Sequence, residues 1–248
     1  MFNYFWSYNT DIPREYITYN FSPTHLTWFF SAIVLIFLTL LIYRRKSDRV
    51  KERVKKVIVI YLVVSEVLIW IWLAVIGHYS LVEALPLELC SISVFVEFAA
   101  VFSKRNKIFK EFSYSLSMPS AFAAIMTPGW FYPFFNIQYL DSALSHSLMV
   151  LIPILFVWGD GFRPDYRRLP KCFLLLLSFA AIAAYADIKL DANYMFLCYA
   201  SADTPMQNFE NWVGHPGYIF MEIALIFVIW IILYLPFIIK RNKGKIIV

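Results

Sequence analysis

A thiol and a carboxylate lie together at the start of an apolar segment, in the sequence PLELCS at residues 86–91. A charged side chain at membrane depth costs about 2.5–3.5 kcal/mol on insertion scales, so such residues are rare without a use. A second reactive side chain, His146, lies in a later apolar segment. Because an imidazole that takes the proton of a thiol turns it into a nucleophile, Cys90 and His146 are the predicted catalytic pair. Attack on the acyl ester of a lipid is the chemistry that suits this pair.

Helical spacing places further polar side chains beside the predicted pair. Glu97 lies seven residues after Cys90, and Ser142 lies four residues before His146, so each shares a helix face with the reactive residue of its own segment. Cys90 and His146 lie at a similar distance from the same end of their segments, so they can meet across a helix bundle. The predicted supporting residues are Glu97, Ser142 and two carboxylates that can orient the imidazole, Glu88 and Asp141.

The composition predicts the elements that must hold these residues. The chain has 248 residues, of which 60% are hydrophobic and 19% aromatic, and its apolar residues form long unbroken blocks. Blocks of about 20 apolar residues are typical of membrane-spanning helices. The predicted fold is an all-α membrane protein, a seven transmembrane helix bundle that forms a single domain over residues 1–248. The predicted spans are residues 25–43, 57–77, 86–103, 112–127, 139–158, 172–188 and 217–239.

The placement of positive charge predicts the orientation of the bundle. With these spans, all but Arg14 and Lys189 of the 22 Lys and Arg residues fall on one side of the membrane. Basic loops stay in the cytoplasm, so the N-terminus is predicted outside and the C-terminus inside, in a multi-pass protein of the cell membrane. Residues 1–24, rich in Tyr and Trp, are predicted to form an interfacial outer segment. The Lys and Arg residues behind the net charge of +5 lie in these loops. They do not alternate with aromatic residues in a basic patch, so no nucleic-acid partner is expected.

Two other functions are open to the same residues. All four histidines fall on the predicted outer side, which permits a zinc-dependent lipid hydrolase. No H-x-x-x-H or H-E-x-x-H pair places two ligands on one helix face, so no metal site is predicted. A proton-coupled transporter or a lipid-binding protein without catalysis is the other alternative, with its intramembrane acids at Glu66, Glu97 and Glu222. The chain has no Walker loop and no G-x-G-x-x-G motif, so no cofactor is expected.

Six short fragments occur in a recognisable order, at residues 85–90, 126–128, 145–146, 161–164, 193–198 and 233–237. Together they resemble the YwaF-type family of bacterial integral membrane proteins. That family is similar to a eukaryotic transmembrane acyltransferase that moves polyunsaturated chains between phospholipids, including ether lipids. The resemblance implies that Cys90 is the catalytic cysteine and His146 its partner. It also implies that the bilayer and a phospholipid or other lipid acyl donor and acceptor are the partners.

The chain departs from the family pattern at two places. The residue two positions before the cysteine is often His in the family, and here it is Glu88, which would act as a carboxylate base or through another partner. The segment after Asn193 ends in GHPGY at residues 214–218, where family members tend to have Gly-Pro-x-Pro-Trp-Tyr. This loop is expected to cap the site, and the cap residues are Asn193, Tyr194 and His215.

Overall fold

The chain folds into a bundle of helices. The computed structural model describes residues 3–103, 106–128, 132–201 and 204–243, and these residues contain no β-strand. The helices are α1 (Pro23–Arg44), α2 (Asp48–Val75), α3 (Leu81–Ala84), α4 (Leu89–Phe102), α5 (Lys107–Phe112), α6 (Met118–Met126), α7 (Ile137–Ile154), α8 (Leu169–Leu190), α9 (Pro205–Val213) and α10 (Gly217–Lys243). Two π-helical stretches, Ser113–Ser117 and Leu155–Gly159, continue α5 into α6 and extend α7.

Among the described residues, five helical segments are long and apolar enough to cross a membrane. They are Pro23–Arg44, Asp48–Val75, Ile137–Gly159, Tyr166–Leu190 and Gly217–Lys240, and Leu89–Phe102 is a shorter apolar helix. Many of their large apolar side chains face outward, as the side chains of helices in lipid do. The prediction of an all-α membrane protein is therefore confirmed, whereas the count of seven spans and the orientation of the termini stay predictions.

The basic stretch at residues 44–56 is largely helical, although it is predicted as a loop. α2 begins at Asp48, with Ser47 as its N-cap. Lys, Glu and Arg are good helix formers, and an acidic residue in the first turn complements the helix dipole. The first turns of α2 therefore precede the apolar block from which the second span is predicted.

The predicted fourth span differs from the observed helix at its start. The segment is helical from Lys107 to Met126, and Ser113–Ser117 is a π-helical stretch directly before Pro119. Proline lacks an N–H and its ring clashes with the carbonyl four residues earlier, so a wider turn relieves the clash without ending the helix. Pro119 therefore causes a local widening of one continuous helix and does not interrupt it.

Two short elements lie outside the predicted spans. The third predicted span starts at Pro86, but α4 begins at Leu89, and only the short helix α3 precedes it. α9 lies within the predicted loop between Lys189 and Pro216. It ends at Val213, and its C-cap residue Gly214 has a φ of +67°, which stops the helix. Glycine is the residue that adopts a positive φ at little cost.

The helices alternate in direction between two ends of the bundle. At one end, the first turn of α1 meets the last turn of α6, where His25 Nε2 lies 2.9 Å from the Ile125 carbonyl. This capped end is formed by residues 3–22, 76–88, 191–201 and 204–216. At the other end, Tyr43 in the last turn of α1 donates a hydrogen bond to Asp160, at 2.8 Å. This basic end is formed by residues 45–56 and 160–171.

Candidate functional site

A cavity of about 260 Å³ lies near the capped end, between α2, α4 and α7. Its lining combines reactive, acidic, hydroxyl and aromatic side chains. They are Cys90 and His146, the acids Glu66 and Asp141, the serines Ser65, Ser91, Ser142 and Ser145, and the rings of Tyr8, Trp70, Trp72 and Tyr132. Polar and ionisable side chains inside a membrane bundle are costly and commonly functional, so this lining marks the candidate site.

The structure brings Cys90 and His146 to the same cavity. Cys90 lies in the first turn of α4 and His146 in the middle part of α7, and both side chains are half-buried there. The Ser120 hydroxyl, on α6, lies near the Cys90 thiol. The arrangement provides a thiol, a base and a hydroxyl beside one polar space.

The other two cysteines lie elsewhere. Cys172 is fully buried in the core between α5 and α8, and Cys198 is exposed in the loop at the capped end. Neither of these two cysteines lines the cavity.

The hydrogen bonds of His146 decide which ring nitrogen carries the proton. Nδ1 lies 2.7 Å from the backbone carbonyl oxygen of Ser142 and 3.2 Å from the hydroxyl of the same residue. A carbonyl oxygen only accepts hydrogen bonds, so Nδ1 must donate. In the neutral ring the lone pair is then on Nε2, which is the nitrogen that can take a proton. Ser142 thus acts on His146 mainly through its backbone.

Two carboxylates face the cavity from α2 and α7. Glu66, on α2, lies near the Ser91 hydroxyl. Asp141, on α7, lies near the hydroxyl groups of Ser65 and Tyr61. α2 therefore supplies an acid that the sequence singled out only for the transporter alternative.

Glu88 and Glu97 are placed differently from Asp141. The Glu88 carboxylate accepts a hydrogen bond from the backbone N–H of Met195 at 3.0 Å, so it joins the start of α4 to the loop at the capped end. Glu97 is fully buried and accepts a hydrogen bond from Ser113 at 3.0 Å. Neither residue is among those that line the cavity. Glu222, on α10, is half-buried, and its Oε1 has no hydrogen-bond partner among the described residues.

The predicted cap residues lie against the start of α4 rather than over the cavity. Tyr194 is buried, and its hydroxyl donates to the Leu81 carbonyl at 2.6 Å and accepts from the Leu85 N–H at 3.1 Å. Asn193 binds the backbone of Cys198 and Tyr199, and His215 lies 3.2 Å from the Leu197 carbonyl. None of the three lines the cavity. The loop that contains them instead covers the residues before α4, through the contacts of Tyr194 with Leu81 and Leu85.

The N-terminal segment, residues 3–22, supplies the cap of the cavity instead. Asn136, at the start of α7, donates hydrogen bonds to the carbonyls of Tyr4 and Ser7 at 2.7 and 2.9 Å. Trp72 donates to the Trp6 carbonyl at 3.2 Å, and the Tyr8 ring then reaches the cavity. The aromatic residues of this segment predict an interfacial position but do not show which helices it contacts.

The attachment of this cap can be tested at Asn136. Asn136→Ala removes both bonds to the N-terminal segment and the N-cap bond to Gln138, so it is expected to cost about 1–2 kcal/mol of stability. A membrane-impermeant thiosulfonate reagent should then label Cys90 several-fold faster than in the unmodified protein. Thr10→Ala, in an exposed part of the same segment, is the control. Equal labelling rates in Asn136→Ala and the control would show that the segment does not cover the cavity.

Among the described residues, no group of three or more His, Cys, Asp or Glu side chains is placed to hold a metal ion.

Comparison with known proteins identifies the family of the chain. The model of the TMEM164 family matches residues 20–234, from the residues before α1 to the second half of α10. No curated protein matches the chain, and no solved structure matches it. The YwaF-type name and the likeness to an acyltransferase stay predictions. Because the match covers most of the chain and all three helices around the cavity, the chain belongs to the TMEM164 family, a family of transmembrane proteins.

Proposed function

We propose that the chain is a membrane-embedded lipid acyltransferase or transacylase that uses Cys90 and His146 as its catalytic pair. The observation that supports this most is that α4 and α7 bring both side chains to one polar cavity. Cys90 provides the nucleophile, and His146 provides a base whose tautomer is set by the carbonyl of Ser142.

The proposed reaction has two steps. First, Nε2 of His146 takes the proton of the Cys90 thiol, and the sulfur attacks the carbonyl carbon of a lipid ester. A C–S bond forms, the ester C–O bond breaks, and the imidazolium returns the proton to the lysolipid oxygen that leaves. Second, Nε2 takes the proton of an acceptor hydroxyl, whose oxygen attacks the thioester. The C–S bond breaks, and the thiol regains its proton from His146.

The charges of the cavity favour some lipids over others. Among the described residues that line it, there are two carboxylates, Glu66 and Asp141, and no Lys or Arg. Carboxylates together with aromatic rings attract ammonium groups and repel anions. A cavity of about 260 Å³ holds the ester and headgroup region of a lipid, while its chains extend between helices. We therefore expect lipids with an ammonium headgroup to be better substrates than anionic lipids.

The proposed setting is the cell membrane. The helix from Lys107 to Met126 and the shorter helix Leu89–Phe102 run between the same two ends of the bundle as the five long segments. We place all seven across the bilayer as a single domain, with the capped end and the N-terminus outside and the basic end and the C-terminus in the cytoplasm. The cavity then opens at the depth of the outer leaflet, where the ester groups of phospholipids lie.

A covalent intermediate is the direct test of this proposal. After incubation with a phospholipid that carries a labelled acyl chain, mass spectrometry of the purified protein should find the label on the peptide that contains Cys90. Hydroxylamine should remove it, since it cleaves thioesters. The exposed Cys198 is the internal control and should stay unlabelled. Equal labelling of both cysteines, or no labelling of Cys90 while transfer proceeds, would contradict the proposal.

A further inference from the structure

A row of serines lines the contact between α4 and the helix from Lys107 to Met126. Ser113 donates a hydrogen bond to Glu97 at 3.0 Å. Toward the capped end, Ser120 lies near Cys90. These two pairs show how the two antiparallel helices are aligned.

This alignment places a third pair of residues opposite one another. On α4, Ser93 lies four residues before Glu97, and Cys90 lies three residues before Ser93. On the other helix, Ser117 lies four residues after Ser113, and Ser120 lies three residues after Ser117. Because the helices run in opposite directions, Ser93 faces Ser117 between the two observed contacts. We name this row the serine seam; it consists of Ser93, Ser113, Ser117 and Ser120 with Glu97 and Cys90.

The middle of the serine seam holds buried oxygens that lack protein partners. Glu97, Ser93 and Ser117 are all 0% exposed. Within the part of the chain that the structure describes, Glu97 Oε2 and the hydroxyl oxygens of both serines have no hydrogen-bond partner. Leaving such a group buried without a partner costs about 1–3 kcal/mol, so three together indicate a bound species that satisfies them.

The chemistry of these oxygens limits what that species can be. A water molecule needs about two to four polar partners, and the seam offers three oxygens. Among the described residues, Glu97 has no salt bridge with a Lys or Arg side chain, so an ionised carboxylate would remain uncompensated in a place without water. A sodium ion would compensate the charge of the carboxylate but would have to give up its hydration shell. In exchange it would gain about four ligand oxygens from the protein, fewer than hard cations prefer. A proton on the carboxyl group, together with one water, satisfies every group at lower cost.

We propose that Glu97 is a buried proton-binding site in which an ordered water bridges its Oε2 to Ser93 and Ser117. The carboxyl O–H donates to the water, while Ser113 donates to the other carboxyl oxygen. On the cavity side of the seam, Ser120 donates a hydrogen bond to the Ser117 carbonyl at 3.0 Å, so its hydroxyl is held within α6. Glu97 is therefore a proton store inside the bundle. This proposal does not depend on acyl transfer.

Infrared spectroscopy of the protein in lipid tests the proton on Glu97. A protonated carboxyl group has a carbonyl-stretch band separate from that of a carboxylate. We expect this band in the unmodified protein, its loss in Glu97→Gln and a shift of its frequency in Glu97→Asp. The second variant keeps the assignment possible if the glutamine variant does not fold. If neither variant changes the carboxylic-acid region, or if the carboxylate bands of Glu97 respond to an exchange of sodium for choline, the proposal is wrong.

The rate of deuterium exchange tests the water bridge. In D₂O the Glu97 band shifts as its proton exchanges with that of the bridging water. Ser93→Ala and Ser117→Ala should each slow this exchange about tenfold, since each removes a partner of the bridging water. Ser178→Ala is the control, because this serine is exposed on α8 and donates to the carbonyl of Leu174. Unchanged exchange in both seam variants would overturn the water bridge.

Discussion

Exchange of Cys90 for serine is expected to abolish acyl transfer in proteoliposomes, and exchange of His146 for alanine to reduce it by about 10²–10⁴-fold. The first change replaces a thiol by a hydroxyl that a single imidazole activates poorly. The second removes the base whose Nδ1 bonds to the Ser142 carbonyl at 2.7 Å. The measurement is the rate at which a labelled acyl chain passes from a phospholipid to an added lysolipid. Cys198→Ser, which changes an exposed thiol, should retain the full rate.

Chemical rescue separates catalysis by His146 from a structural role. If the imidazole acts as a base, added imidazole should restore part of the activity of His146→Ala, because the vacated side of the cavity can admit it. A residue that only supports packing would not be rescued in this way. Full transfer activity in Cys90→Ser would show that Cys90 is not the nucleophile. A proton-dependent flux that needs Glu66 but not Cys90 would instead favour a transporter.

The apolar blocks predict the fold well because lipid imposes one simple requirement. A chain in the bilayer must satisfy its own backbone hydrogen bonds, so long apolar blocks form helices. The block at residues 217–239 matches α10 closely. Local polar sequences are less informative, since α2 begins at Asp48, well before its apolar block. The π-helical stretch before Pro119 relieves a clash between the proline ring and a backbone carbonyl of the same helix. The spacing of apolar residues does not predict such a local change.

The site is only partly predictable for a related reason. Helical spacing and depth predict that Cys90 and His146 can meet, and the structure places both on one cavity. The contribution of α2 through Glu66, and that of the N-terminal segment through Tyr8, depends on contacts between residues far apart in the chain. Asn136 holds that segment by bonds to carbonyl groups, which any sequence would present. The residue types in residues 3–22 therefore do not indicate which helices this segment contacts.

Two of the family-like fragments have a structural explanation at the basic end. Glu111 is fully buried and accepts hydrogen bonds from the Tyr234 hydroxyl at 2.5 Å, from Arg168 at 2.7 Å and from the backbone of Asp165 at 2.9 Å. Tyr234 lies in the fragment at residues 233–237, and Asp165 directly follows the fragment at residues 161–164. Glu111 thus joins α5, the turn before α8 and α10, with Tyr234 of one fragment as a direct partner and the other fragment directly before Asp165.

Removal of this carboxylate should cause the largest loss of stability of any single change at the basic end. Glu111→Ala leaves Arg168 without its partner and removes the acceptor of three hydrogen bonds, so the expected cost is about 3–5 kcal/mol. Arg168→Ala also leaves a buried group without its ionic partner, since Glu111 is 0% exposed, but it should cost somewhat less because the Glu111 carboxylate keeps its hydrogen bonds from Tyr234 and from the Asp165 N–H. Unfolding in mixed micelles with increasing SDS measures both free energies.

An exposed ion pair on α2 provides the matched control for Glu111. Lys56 contacts Glu52 at 3.1 Å one turn away, with 39% and 37% of the two side chains exposed. Water solvates both charges, so Lys56→Ala should cost at most about 1 kcal/mol. A Glu111→Ala cost as small as this would mean that the three bonds do not hold the helices together. The loss of stability in Tyr234→Phe should lie between the losses in Lys56→Ala and Glu111→Ala. This change removes one hydrogen bond and leaves the charge of Glu111 paired with Arg168.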